Sequence, residues 1–178
     1  FDEISNVANT IISDLKANGV SVKFDNRKTY RPGAKFAQHE LQGVPLRMAI
    51  GPKDLENGTV ELARRDTLTK EIIKIDTITD VVKNLMIEIQ KALFDKALNF
   101  RDSHITKVDD FETFKDVLEN KTGFISAHWD GTTETEDKIK ELTKATIRCI
   151  PLDNKIEEGK CVLTGNLSKQ RVLFAKAY

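Results

Sequence analysis

The sequence predicts an α/β (α+β) fold in two small units. Apolar residues recur at helical spacing in some segments and alternate in others, and the two kinds of segment are interleaved along the chain. The pattern then breaks and restarts after Arg101. A length of 178 residues suffices for one ordinary domain or two small ones.

Phe1, Ile4, Val7, Ala8, Ile11, Ile12 and Leu15 mark an opening amphipathic helix, with Gly19 as its stop. "VSVKFD" alternates as a short strand through Val20, Val22 and Phe24. Arg31-Pro32-Gly33 is a turn, and "AKFAQHELQ" is a helix of two or three turns ended by Gly43. "VPLRMAIG" and "TVELARRD" are strands joined by the turn-rich "GPKDLENG", and "KEIIKI" is a further strand. Val81, Val82, Leu85, Met86, Ile89, Leu93 and Phe94 give a long amphipathic helix from Ile78 to about Arg101. This order predicts a mixed sheet with flanking helices. A helix opening such a unit ordinarily follows a strand, and none precedes it here. With Phe1 rather than Met at the start, the expectation is a fragment lacking its first strand.

The second unit is predicted as a small β-α-β-β arrangement, with the boundary between Arg101 and Asp110. "DDFETFKDVLENK" is a short helix and "GFISAHW" a strand. "TTETEDKIKELTKA" is a helix capped by Thr132 or Thr133, with acidic residues in its first turn where the helix dipole favours them. "TIRCIPL" is a strand, and "GKCVLTG" with "KQRVLFAKAY" reads as a terminal hairpin.

Composition excludes several classes. With 39% hydrophobic and 31% charged residues, the chain has enough apolar content for a core. No apolar run nears the roughly 18 residues of a membrane span, and no signal peptide opens the chain. Cys149 and Cys161 make no disulfide framework and fit a reducing cytoplasm. No GxSxG, phosphate-cradling glycine loop or HExxH is present, and His39, His104 and His128 are scattered as ordinary surface or capping histidines. Net charge is zero, 28 basic against 28 acidic. Locally, however, Lys23, Arg27, Lys28, Arg31, Lys35, Arg47 and Lys53 outnumber Asp25 and Glu40, giving either a positive field or a solvated face.

The pieces "PGAKF", "ELQGVPLR", "GPKDLENG" and "RRDT" closely resemble the anticodon-binding domain of prolyl-tRNA synthetases, class II aminoacyl-tRNA synthetases. "GFISAHWDG", "KIKELTKATIRCIP", "GKCVLTG" and "FAKAY" resemble the extra C-terminal domain of the archaeal/eukaryotic-type enzymes. The resemblance covers nearly the whole chain in order. It implies an anticodon-binding domain at 1–101, lacking its first strand, and a C-terminal domain at 102–178. Proline codons begin CC, so the tRNA offers two guanines in an NGG anticodon. Guanine's Watson–Crick edge donates through N1–H and N2–H₂ and suits a carboxylate, while O6 and N7 suit Arg or Lys. An aromatic face stacks on an unpaired base. By resemblance, Phe36, Glu40, Arg47 and Asp54 stand at the guanine contacts, with Lys53 and Arg65 as further candidates for the backbone or a base. From pattern alone, Phe36 as core and Glu40–Arg47 as a surface pair stay open.

By the same resemblance, many relatives bind structural zinc in the C-terminal domain through a C-x₄-C and a later C-x₂-C pair. The matching positions are Asp130, Thr135, Cys161 and Thr164, a degenerate set, so zinc is expected absent, with hydrogen bonds and packing closing the loops. Tyr178 matches a family position thought to reach toward the catalytic domain; it also fits as a cap on the small domain's core. Class II motifs are missing, so this chain is not expected to activate proline. The implied parent is a homodimeric, cytoplasmic ligase charging tRNA(Pro) with proline, using ATP and Mg, with neither membrane nor DNA as partner. A stand-alone non-catalytic tRNA-binding paralogue, or a structural dimer-bracing module, is the alternative.

Overall fold

A computed structural model describes residues 2–176, so Phe1 and the expectations for Tyr178 lie outside the described residues. The chain forms two compact units, Phe1–Asp95 and Lys96–Tyr178.

In the first unit, α1 (Asp2–Ala17) buries Ile11 and Leu15, one turn apart on one face. Gly19, at φ +79°, ends it; Gly19 N–H donates to Lys16 O and Val20 N–H to Leu15 O. The segment Val20–Asp25 is irregular instead of the expected strand. Val20 and Val22 still pack on the core while Ser21 and Lys23 face outward. The alternation holds for Val20 and Val22 but not for Phe24, which is exposed; a strand also needs a hydrogen-bonded neighbour, and none exists among the described residues. Helix α2 (Pro32–Leu41) starts with Pro32 in its first turn and stops before Gly43, where Val44 N–H reaches His39 O.

Strands β1 (Leu46–Ala49), β2 (Thr59–Arg64) and β3 (Lys70–Lys74) form an antiparallel sheet in that order, with Met48 opposite Leu62 and Val60 opposite Ile73. Between β1 and β2, the predicted turn is a six-residue helix, α3 (Pro52–Asn57), followed by Gly58 in the left-handed region. Val60, Leu62, Ile11, Leu15, Ile78 and Val82 make the core. Helix α4 (Ile78–Ser103) buries Ile78, Val82 and Ile89. Its expected apolar stripe is only partly covered, since Met86, Leu93 and Phe94 are exposed. Helical periodicity identifies an apolar face but not what lies against it.

In the second unit, β4 (Ile105–Val108) was not predicted; four residues, two of them polar, carry little pattern. It pairs in parallel with β5 (Phe124–His128) across α5 (Phe111–Asn120), which Asp110 caps by accepting from Thr113 N–H. Helix α6 (Thr133–Thr143), capped by Thr132, leads to β6 (Ala145–Cys149). The expected terminal hairpin does not form. Residues 159–160 (β7) pair with 167–168 (β8), and β9 (Arg171–Lys176) inserts between β5 and β6, giving the mixed order β4-β5-β9-β6. This central place explains the apolar "VLF" of β9: Val172 and Phe174 are fully buried against Phe114, Ile125 and Ile139.

Candidate nucleic-acid interface

The sequence-predicted residues fall into two groups, one around α2 and one on α3. Phe36 and Glu40 lie one turn apart on α2, and the hairpin β1–β2 brings Arg47 and Arg65 to them. The Arg47 guanidinium carbon sits 3.6 Å from the centroid of the Phe36 ring. One face of Phe36 is thus already covered by a cation, so it is neither plain core nor a bare platform. Arg47 Nε lies 4.0 Å from Glu40 Oε1, too far for a hydrogen bond, while Nη1 donates to Glu61 Oε1 at 3.3 Å. Arg47 Nε is buried without a hydrogen-bond partner. Glu40 remains about half exposed, with its carboxylate open to an incoming donor. Arg65 Nε donates to the Glu40 carbonyl at 2.8 Å, anchoring the last turn of α2 with a cation as the helix dipole favours.

Glu40, Val44, Arg47, Ala63, Arg64 and Arg65 line a recess of ≈ 20 Å³. That is too small to enclose a base, so a base would have to be read at its rim. Asp54 and Lys53 stand on α3, not in a turn. Asp54 Oδ2 accepts from Gly51 N–H at 2.8 Å, which caps that helix and occupies one carboxylate oxygen. Lys53 is exposed. No hydrogen bond, ion pair or ring contact joins these two to Phe36, Glu40 or Arg47 among the described residues.

Sequence reasoning missed Glu61, which pairs with both Arg47 and Lys70, the latter at 3.5 Å. Because Arg47 opposes Ala63, Glu61 is its diagonal neighbour; only the hairpin register reveals this. It also missed Asp25. This carboxylate accepts from Arg27 at 2.8 and 2.6 Å, lies 2.9 Å from His39 Nε2, and its carbonyl accepts from Lys35. The Arg27 hydrogen bond, against some desolvation and with help from His39, holds the Asp25 carboxyl well below the usual carboxylate range. Asp25 thereby fastens the preceding loop to α2.

In the second unit, Asp130, Thr135 and Thr164 do meet. Asp130 Oδ2 accepts from Thr164 Oγ1 at 2.8 Å, Thr135 Oγ1 at 2.9 Å and Asn166 Nδ2 at 3.3 Å. Its Oδ1 accepts from Thr132 Oγ1 at 2.9 Å. Burial raises the Asp130 pKa, but the hydrogen bonds from Thr164, Thr135 and Thr132 outweigh it and bring it down to about 2. Cys161 is buried. This set does not fit four-coordinate zinc, because the threonine hydroxyls are weak ligands at neutral pH and already donate to the carboxylate. His128 is a correction to the expected surface histidine. It is buried, with Nδ1 3.1 Å from Ser168 Oγ and Gly159 passing close over its ring.

Comparison with known proteins identifies the family of both units. A family model described as anticodon binding domain matches residues 1–85, and one described as prolyl-tRNA synthetase, C-terminal, matches residues 111–178. A proline–tRNA ligase of Christiangramia forsetii is 67% identical over 178 residues, 100% of this chain and 36% of that protein. That of Flavobacterium psychrophilum is 64% identical with the same coverage. A crystal structure of prolyl-tRNA synthetase from Cryptosporidium parvum, complexed with L-proline and AMP, matches with TM-score 0.92 at 34% identity, covering 100% of this chain and 38% of that one. The chain therefore spans little more than a third of the length of these relatives. It belongs to the prolyl-tRNA synthetase family, in which it corresponds to an anticodon-binding domain followed by the family's C-terminal domain.

Proposed function

We propose that this chain reads the two guanines of a proline tRNA anticodon, as part of a ligase that charges tRNA(Pro) with proline. The observation that carries the reading is the group on α2 and β1. An aromatic ring is stacked by Arg47, whose Nε is buried without an acceptor, beside the open carboxylate of Glu40. An arginine offers donors to guanine O6 and N7, and a carboxylate accepts from N1–H and N2–H₂, so both guanine edges are met within one site. Phe36, Glu40 and Arg47 read bases in this account. Arg65 and Lys53 meet backbone phosphate, and Asp54 contributes the carboxylate oxygen not used in capping. The anticodon reader extends over 1–101, with the C-terminal domain at 102–178. Proline activation with ATP and Mg belongs to the remaining length of the parent ligase, which acts in the cytoplasm as a homodimer. We also propose that zinc is absent from the C-terminal domain, its place taken by the hydrogen bonds to Asp130.

A double-mutant cycle tests the site. Glu40→Gln is combined with inosine at each guanine position of a proline anticodon stem-loop; inosine lacks only the N2 amino group. The expected coupling at one position is ~1–3 kcal/mol. Additive effects at both positions would remove Glu40 from recognition of the N2 amino group of either guanine.

A further inference from the structure

We propose a second RNA contact on the segment Asp25–Arg31, in which Tyr30 stacks on an unpaired base and Arg31 meets backbone phosphate. This rests on the anticodon-reading proposal above and extends it to a loop outside the Phe36–Arg47 group.

Tyr30 is 52% exposed and belongs to neither core cluster. It is nevertheless held. The Arg27 guanidinium carbon lies 4.6 Å from its ring centroid. Arg27 is itself fixed, by two hydrogen bonds to the Asp25 carboxylate and one to Gln38 Oε1 on α2 at 2.8 Å. A cation held in place by Asp25 and Gln38 therefore sits over the tyrosine ring, while the residue remains about half exposed. This is the geometry of a stacking platform, since an ordered aromatic can receive a base with little further loss of freedom.

The surroundings favour a polyanion. Lys23, Arg27, Lys28 and Arg31 crowd this stretch, and the one carboxylate among them, Asp25, is already engaged by Arg27 and His39. Arg31 stands immediately before α2, exposed, and its side chain makes no hydrogen bond or ion pair among the described residues. The same helix carries Phe36 and Glu40. Because Gln38 and His39 tie the loop to α2, the platform and the guanine-reading group ride on one element. Tyr30 and Arg31 stand just before α2 and Phe36 lies within it, so an RNA strand that meets both has to pass around the start of that helix.

The test is binding of the full 178-residue chain to a proline anticodon stem-loop carrying 2-aminopurine at successive loop positions. Tyr30→Ala, Tyr30→Leu, Tyr30→Phe and Arg31→Ala are compared, with Phe36→Ala as the reference for the first site. Equal melting temperatures check that the fold is kept. Tyr30→Ala and Tyr30→Leu are expected to weaken binding by about tenfold or more and to remove the fluorescence quench at one loop position, while Tyr30→Phe keeps both. Arg31→Ala is expected to reduce the slope of log K against log salt by ~0.7. If Tyr30→Ala binds as the parent does while Phe36→Ala is weakened, the inference is overturned and the anticodon reading stands. If Tyr30→Phe loses as much as Tyr30→Ala, the ring is not a stacking surface and the inference also fails. A parent chain that neither distinguishes guanine from other bases nor responds to Phe36→Ala would bring down both.

Discussion

Arg47 sits over the Phe36 ring, gives one terminal nitrogen to Glu61 and keeps Nε buried without a hydrogen bond. A buried donor left unsatisfied costs about 1–3 kcal/mol, so the site carries an unmet demand for an acceptor before any ligand arrives. Glu40 Oε1, 4.0 Å away, is the acceptor nearest to hand, and a base at the rim would be met by the guanidinium's terminal nitrogens. Asp130 presents the opposite condition, a carboxylate whose two oxygens are saturated by hydroxyl and amide donors. Asp130→Ala leaves Thr135, itself buried, without its acceptor, and is expected to destabilise the second unit by ~1.5–3 kcal/mol in denaturant unfolding. The pH dependence has a definite sign. The folded-state pKa is depressed from 3.8 to about 2, so the contribution is fully present above 3.8 and fades as pH falls through about 2. Asp130→Ala should show none of that fading, and a chelator should leave the unfolding midpoint of the parent chain unchanged. A midpoint lowered by chelator would contradict the zinc-free account.

Helix α2 depends on its ends for its role. Asp25 and its partners fix the approach, and Arg65 holds the exit. Helix α6 has a less favourable end. Lys144, exposed, follows it at φ +64°, a left-handed conformation that costs a side-chain-bearing residue about 1–2 kcal/mol. Lys144→Gly is expected to raise stability by ~0.5–1 kcal/mol, the rest offset by the greater freedom of glycine in the unfolded chain. Unchanged or lower stability on thermal unfolding would refute the strain argument. Elements of this kind were largely legible in the sequence. The periodicity of Ile4 to Leu15 and the glycines at 19 and 43 predict α1, α2 and their ends. Elements defined by partners were not. Val20–Asp25 alternates like a strand yet has no ladder, and β9 reads as half of a hairpin but inserts between β5 and β6. In the candidate site, motif resemblance located Phe36, Glu40, Arg47 and Arg65, which the fold assembles. Glu61 and Asp25 act through register and tertiary hydrogen bonds, for which a linear sequence offers little sign.

At the scale of the whole chain, zero net charge conceals a basic, aromatic stretch from Lys23 to Arg47 around α2. No helix among the described residues is long and apolar enough to cross a membrane. The exposed apolar residues of α4, including Ile87 and Phe94, belong to a chain that spans only 36% of the length of its relatives. What the whole chain must do, if the account holds, is tell one anticodon from another. The most direct test is titration of the 178-residue chain with a proline anticodon stem-loop and with versions in which each guanine is replaced in turn, at one fixed salt concentration. The account predicts a loss of ~1–3 kcal/mol for each wrong base, abolished in Arg47→Ala for the base that Arg47 reads. Equal binding of all the stem-loops, with the chain folded, would contradict it.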